Sequence, residues 1–415
     1  MVEIRPFMGI RYSDEIEIKK VVAPPYDVIS EELKEEYYNR HENNIIHLIL
    51  GRKYDGDTSQ DNSYTRACAY FNKWLGEGIL KVDMRPSIYI LEQEYFAGDK
   101  KKKMQGIISL VKLEEYENGE ILPHEETLDS AIKDRLSLMS TCSANFSQIF
   151  TMYSDHEGTV EGIIAEKTKE PPVSEVKIDS IISRLWRVDD PGVISLLKSE
   201  MKEKKLFIAD GHHRYATALK LRDQMREKTK SDAYDYTMMY YTNMESGGIT
   251  ILPAHRVLRR VNFDSSKMQK IQEYFEIDRV KHGEMLKKLK GLENSHHIFG
   301  MCYDGNCYLL RLKDENVMDR IIDSGKSKDW KRLDVTIIHS LLIDLVANGT
   351  DNISYVVDEK EAMRISEEKN CLVIFVSPTR VEEVKKIALN REKMPGKATY
   401  FYPKLLTGLV MNRVL

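Results

Sequence analysis

The chain has 415 residues, 42% of them hydrophobic and 31% charged, with 62 basic and 66 acidic side chains and a formal net charge of −4. That length exceeds one ordinary core and predicts two or three domains, while the composition excludes a collagen, a coiled coil or a long disordered tail. The slight acidic excess argues against DNA or RNA as the main ligand, because surfaces that read nucleic acid carry a basic excess.

Taken in chain order, Val21-Val22-Ala23-Pro24-Pro25-Tyr26-Asp27-Val28 is a fixed, extended loop, since consecutive prolines continue neither helix nor strand. A helix is predicted from Ser30 onward. A second runs from about Tyr64 to Leu75, with Ala67, Tyr70, Phe71, Trp74 and Leu75 on one face and Gly76 and Gly78 at its end. Ile88 to Phe96 and Gly106 to Leu113 read as a hairpin turning at Gly98-Asp99, with Lys100 to Lys103 as a solvated loop at its tip. Residues 155–180 are polar, contain Pro171-Pro172 and read as a linker. Lys204 to Ala209 is a short strand and Tyr215 to Arg226 an amphipathic helix. Tyr236 to Asn243 and Ile249 to Pro253 are further strands. Beyond about 262 the pattern alternates helices with short strands, including Leu372 to Val376. Thr379-Arg380-Val381-Glu382 reads as a capping box for a helix ending at Leu389.

The cysteines (Cys68, Cys142, Cys302, Cys307 and Cys371) are odd in number and contain no Cys-x-x-Cys, which predicts reduced thiols and neither a zinc site nor a disulfide framework. Cys302 to Cys307 reads as a hairpin with Asp-Gly-Asn at its tip. No basic stretch followed by an apolar run opens the sequence, and the longest apolar runs are only strand-length. A cytoplasmic protein with no membrane span is the expectation.

The segment richest in chemistry is Leu206 to Ala218, which contains Asp210-Gly211-His212-His213-Arg214. A strand ends, a glycine follows, and a helix starts within a few residues. Free backbone N–H groups and the helix dipole attract anions there. Gly211 allows close approach, His212 and His213 add donors, and Arg214 can clamp phosphate oxygens. Asp210, at the carboxyl end of the strand, is placed to hold Mg²⁺, which phosphoryl transfer normally needs. An ordinary strand-to-helix turn is the bland alternative, and adjacent histidines are a poor pattern for zinc. In Leu122-Pro123-His124-Glu125-Glu126, Glu125 is a plausible general base, although such a segment can also simply start a helix. His255-Arg256 could add positive charge to the site or form a surface turn. Tyr26 and Asp27 could cap a pocket or brace their own loop. His47 and His339 read as core histidines.

Together, Pro123-His124-Glu125 and Asp210-Gly211-His212-His213-Arg214 resemble the free L-serine kinases of the ParB/sulfiredoxin-like superfamily. Pro395-Gly396-Lys397-Ala398-Thr399-Tyr400-Phe401 is similar to their late substrate segment, with Phe401 where those kinases carry a histidine. The whole chain further resembles a family of roughly 400-residue proteins of unknown function related to those kinases, through Arg5-Pro6-Phe7, Val22 to Asp27, Leu122 to Glu125, Ile208 to Tyr215, Leu252 to Arg256 and Phe401 to Gly408.

The resemblance implies a mixed α/β fold: an N-terminal segment at 1–85, a ParB/sulfiredoxin-like nucleotide-binding core at 86–261 with an insertion near 145–200, and an α/β domain at 262–415 that closes the substrate site. It implies a kinase using ATP or ADP with Mg²⁺ and transferring a phosphoryl group to a small hydroxyl substrate, free L-serine foremost. Glu125 and Asp210 would be catalytic, with Asp210 also on the metal. Gly211, His212, His213 and Arg214 would bind the nucleotide phosphates, and His124, Lys397 and Thr399 the substrate. The rival readings are a nucleotide-gated ParB-like switch, against which the acidic charge and the lack of a visible helix-turn-helix argue, and a nucleotide hydrolase. Oligomeric state is left open.

Overall fold

The computed structural model describes residues 1–292, 297–322, 325–347 and 353–414. It is mixed α/β, as the sequence implies, and forms two compact units. Unit 1 comprises Met1–Pro123, Thr127–Thr250 and Pro403–Leu415; unit 2 comprises His124–Glu126 and Ile251–Tyr402. This division differs from boundaries near 85 and 261. The first segment is tied into unit 1 by strand pairing, and short stretches from the middle and end of the chain change unit.

Unit 1 is built on a nine-stranded sheet: β1 (Ile4–Arg5), β2 (Ile88–Ala97), β3 (Lys100–Lys112), β4 (Ile121–Leu122), β5 (Ile149–Tyr153), β6 (Ser174–Ile178), β7 (Ile181–Val188), β8 (Leu206–Asp210) and β9 (Tyr236–Asn243). Their order is β4-β8-β5-β9-β3-β2-β7-β6, with β1 also on β3. β8 runs parallel to β4 and antiparallel to β5. Ile90, Ile107, Ile208 and Tyr241 join one buried cluster, which also holds Tyr215 of the helix after β8.

Three helices matter for the site: α1 (Ser63–Gly76), α2 (Asp129–Cys142) and α3 (His212–Arg226). Asn62 caps α1 by accepting from the N–H groups of Tyr64 and Thr65, while the Thr65 hydroxyl accepts from Asn62 N. Of the predicted apolar face, Ala67, Phe71 and Trp74 are nearly inaccessible, whereas Tyr70 is 39% exposed. α2 packs along α3 and, through Leu138 and Cys142, closes the core beneath the N-terminal helices.

Unit 2 has a six-stranded antiparallel sheet: β10 (His255–Arg259), β11 (Phe275–Val280), β12 (Ile298–Tyr303), β13 (Asn306–Leu312), β14 (Ile353–Val356) and β15 (Cys371–Phe375), in the order β11-β13-β12-β15-β10-β14. Val373, Ile374 and Phe375 of β15 are wholly buried. A helix, α4 (Val381–Leu389), follows β15. Among the described residues no helix is long and apolar enough to cross a membrane.

Several expectations are corrected. Lys100 to Lys103 lie in β3 itself, where Lys101 and Lys103 meet Glu94 and Glu92 of the partner strand at 2.7 and 3.5 Å. The supposed linker contains a helix over Thr159–Lys167 and strand β6; its polarity reflects a solvent-facing edge. The cap of α4 is Arg380, whose N–H donates to Glu383 at 2.7 Å; the Thr379 hydroxyl instead donates to the Ala398 carbonyl. His255 and Arg256 form no surface turn and are buried in β10. Cys302 and Cys307 are joined in a disulfide, because the β12–β13 hairpin sets them opposite each other with Cα atoms 4.2 Å apart. Cys68, Cys142 and Cys371 are free thiols.

Candidate functional site

In unit 1 the strand-to-helix turn forms where the sequence places it. β8 ends at Asp210, Gly211 takes φ +93°, and α3 begins at His212. Gly211 has no side chain with which to cap the first N–H groups of α3. Its left-handed backbone suits glycine, and there is a further reason for the residue. A Cβ here would lie 2.9 Å from Nε and Nη2 of Arg214, so the guanidinium folds back over the glycine. Arg214 Nη1 donates to Ser147 Oγ at 3.2 Å and also to the Gln148 carbonyl. Its Nη2 stands 3.8 Å from Asp210 Oδ1. A cation held at the positive end of a helix dipole is unfavourable by itself and marks a place where an anion stabilises both.

The second cation was not foreseen. Lys404 Nζ donates to Asp210 Oδ2 at 2.8 Å, and both side chains are about 15% exposed (16% and 15%). Burial alone would push the Asp210 carboxyl upward. Lys404 first, then Arg214, outweigh this and bring it down to about 2. Lys404 is held by its own segment. Its carbonyl accepts from Gln93 Nε2, the Leu406 carbonyl accepts from Gln148 Nε2, and Thr407 exchanges two backbone hydrogen bonds with Ala23 of the Pro-Pro loop. The Phe401-Tyr402-Pro403-Lys404 stretch carried the only sequence signal for it.

The two histidines differ. His212 is buried. His213 Nε2 accepts the Leu128 N–H at 3.0 Å, so its ring proton sits on Nδ1. Asp210 Oδ2 bears Lys404, and among the described residues no three His, Cys, Asp or Glu side chains converge.

In unit 2, residues 124–126 pack against the 393–401 segment. Met394 N donates to the His124 carbonyl at 2.8 Å, and Lys393 pairs with Glu126 at 3.0 Å. The Thr399 hydroxyl donates to Glu125 Oε1 at 3.2 Å and lies 3.0 Å from His124 Nε2. Its one proton goes to Glu125, so His124 Nε2 carries the proton that Thr399 accepts. The His124 ring is fully buried and packs edge-on to Phe401 at 6.0 Å. Lys397 adopts φ +58° with an exposed side chain, and its carbonyl accepts from Arg256 Nη2 at 3.4 Å. Arg256 is wholly buried, with the Ala254 carbonyl and His339 Nε2 as further acceptors.

The predicted residues therefore fall into two groups. Asp210, Gly211 and Arg214 meet in unit 1 around Lys404; His124, Glu125 and Thr399 meet in unit 2, with Lys397 held nearby through its backbone.

The chain belongs to a family of proteins of unknown function, DUF1015, whose model matches residues 4–336. No curated protein matches it. Among solved structures, a mutant free serine kinase in complex with ADP is similar at TM-score 0.37 and 11% identity, covering 71% of this chain and 87% of the kinase. SbnI with a C-terminal truncation, from Staphylococcus aureus, is similar at 0.38 and 10%, covering 72% and 85%. A conserved hypothetical protein from Pyrococcus furiosus is similar at 0.33 and 11%, covering 72% and 92%. Likenesses this distant leave the activity to be argued from the site's own chemistry.

Proposed function

We propose that the chain is a nucleotide-dependent phosphotransferase that phosphorylates the hydroxyl of a small molecule, with free L-serine as acceptor and ATP or ADP as donor. The observation that carries the reading is the pair of cations, Lys404 and Arg214, gathered on Asp210 where α3 presents its first N–H groups. Phosphoryl transfer asks a protein chiefly for positioning and charge neutralisation. Donor phosphate oxygens would take Arg214, Lys404 and the N–H groups of Gly211 to Arg214, with His212 and His213 beside them.

Glu125 would accept the proton of the acceptor hydroxyl as its oxygen bonds to phosphorus and the bond to the donor's bridging oxygen breaks. The Thr399 and His124 hydrogen bonds orient that carboxylate. Exposed Lys397 suits an acceptor carboxylate. Mg²⁺ is added in the assay as the usual companion of the nucleotide, and no step here depends on it.

The test incubates the protein with Mg²⁺, ATP or ADP, and L-serine and follows O-phosphoserine by mass spectrometry. Glu125→Gln should lower the rate on the order of a hundredfold or more. Nucleotide breakdown without phosphoserine would replace the acceptor by another hydroxyl or by water. No turnover with either nucleotide would refute the enzyme.

A further inference from the structure

Unit 2 holds a cation that its surroundings do not balance. Arg256, in β10, pairs in register with Tyr355 of β14 and Ile374 of β15 and is wholly buried. Burial lowers its guanidinium to about 10, which leaves it charged at neutral pH. Among the described residues no carboxylate acts on it; its acceptors are the Ala254 and Lys397 carbonyls and His339 Nε2. A well-packed apolar side chain of similar volume is often as stable in such a place, so what sets arginine apart here is its planar fork of donors.

The fork leads to the candidate base. Lys397 adopts φ +58°, a left-handed conformation that a residue other than glycine keeps only where its surroundings impose it. Arg256 Nη2 donates to its carbonyl at 3.4 Å, while the Ala254 carbonyl and His339 hold the guanidinium plane. The Thr379 hydroxyl donates to the next carbonyl, that of Ala398, at 2.8 Å, and Leu252 N to the Tyr400 carbonyl at 2.8 Å. Between these ties stands Thr399, whose hydroxyl lies 3.2 Å from Glu125 Oε1 and 3.0 Å from His124 Nε2.

We propose that Arg256 is a positioning residue for Glu125: by fixing the Lys397 carbonyl it sets the turn that carries the Thr399 hydroxyl to the Glu125 carboxylate and the His124 ring. Its role in turnover rests on the reading of Glu125 as the base, whereas the geometry is tested without that reading. In protein labelled with ¹⁵N-histidine, the buried His124 Nε2–H bonded to Thr399 should give a downfield proton signal, identified by its loss in His124→Gln. Thr399→Val should move that signal, and Arg256→Met should move it to the same position. Arg256→Lys keeps the charge without the fork and should do likewise; it decides the matter if the methionine variant does not fold. A signal left in its wild-type position by either folded variant would overturn the proposal. In the phosphoserine assay, Arg256→Met should lower kcat by roughly ten- to a hundredfold, and should have no further effect in a Thr399→Val background. Losses that multiply in the double variant would make Arg256 merely structural and overturn the proposal. A wild type without turnover would refute the base and leave the histidine signal to decide what Arg256 positions.

Discussion

Replacing Lys404 by methionine removes the principal counter-charge of Asp210 while keeping most of the side-chain volume. A carboxyl held at about 2 against an ordinary 3.8 corresponds to about 2 kcal/mol of stability at neutral pH. Arg214 remains 3.8 Å away, yet the lost partner leaves a mostly buried carboxylate poorly compensated, so Lys404→Met should cost about 2 kcal/mol. In a Trp330→Phe background, the fluorescence of Trp74 and Trp186 reports unit 1 alone. Its midpoint should fall by about 5 °C. Because the folded-state value is depressed, the contribution is present above about pH 4 and fades as pH drops toward 2, so the mutant and wild type should converge in acid. Lys404→Met combined with Asp210→Asn should recover most of the loss. A loss under about 0.5 kcal/mol at pH 7, or additive effects in the double mutant, would refute the pairing. The same substitution should abolish pyrophosphate binding if the turn holds phosphate.

Gly211→Ala forces a Cβ to 2.9 Å from the Arg214 guanidinium at φ +93°; it should cost about 1–2 kcal/mol and lose anion binding, measured by denaturant unfolding and pyrophosphate titration. His255 and His339 are pushed down to about 4, by burial first and then by Arg256. Both are neutral when folded, so unit 2 should lose stability as pH falls from about 6.5 toward 4, His255 alone by up to about 3 kcal/mol, and His255→Gln should flatten that profile in Trp330 fluorescence. Alkylation of the denatured, unreduced protein should modify Cys68, Cys142 and Cys371 only, and labelling at all five cysteines would exclude the Cys302–Cys307 disulfide.

What could be read in the sequence was local. The amphipathic face of α1, the hairpin at Gly98-Asp99 and the strand–glycine–helix turn each carry their signal within about fifteen residues, and all three form. The misses are long-range or depend on burial. Lys404 reaches Asp210 across 194 positions, and no periodicity encodes that. Arg256 lies three residues after Pro253 and carries a charge, so it reads as a cation of the site or part of a surface turn; only the strands flanking β10 reveal it as buried. The cysteine count argued for reduced thiols, but hairpin register outweighs count once two cysteines become cross-strand neighbours. At the candidate base, Glu125 was legible by its motif, whereas its hydrogen bond to Thr399 depends on a segment 274 positions away.

The discontinuity of unit 1 bears on the order in which the molecule can fold. The segment that carries Lys404 follows Thr250 in unit 1 only after the 152 residues of 251–402. Closing so long a flexible loop is entropically unfavourable, and the penalty grows with the logarithm of its length. Within unit 2, Leu252 N donates to the Tyr400 carbonyl at 2.8 Å, so the two ends of that excursion are tied together once unit 2 is folded. The remaining closure then resembles a loop of a few residues, which saves about 3 kcal/mol. Unit 2 should therefore fold ahead of the final docking of Pro403 to Val414, and Asp210 should gain its lysine in the last step. In refolding experiments, anion affinity should return after most of the secondary structure has formed.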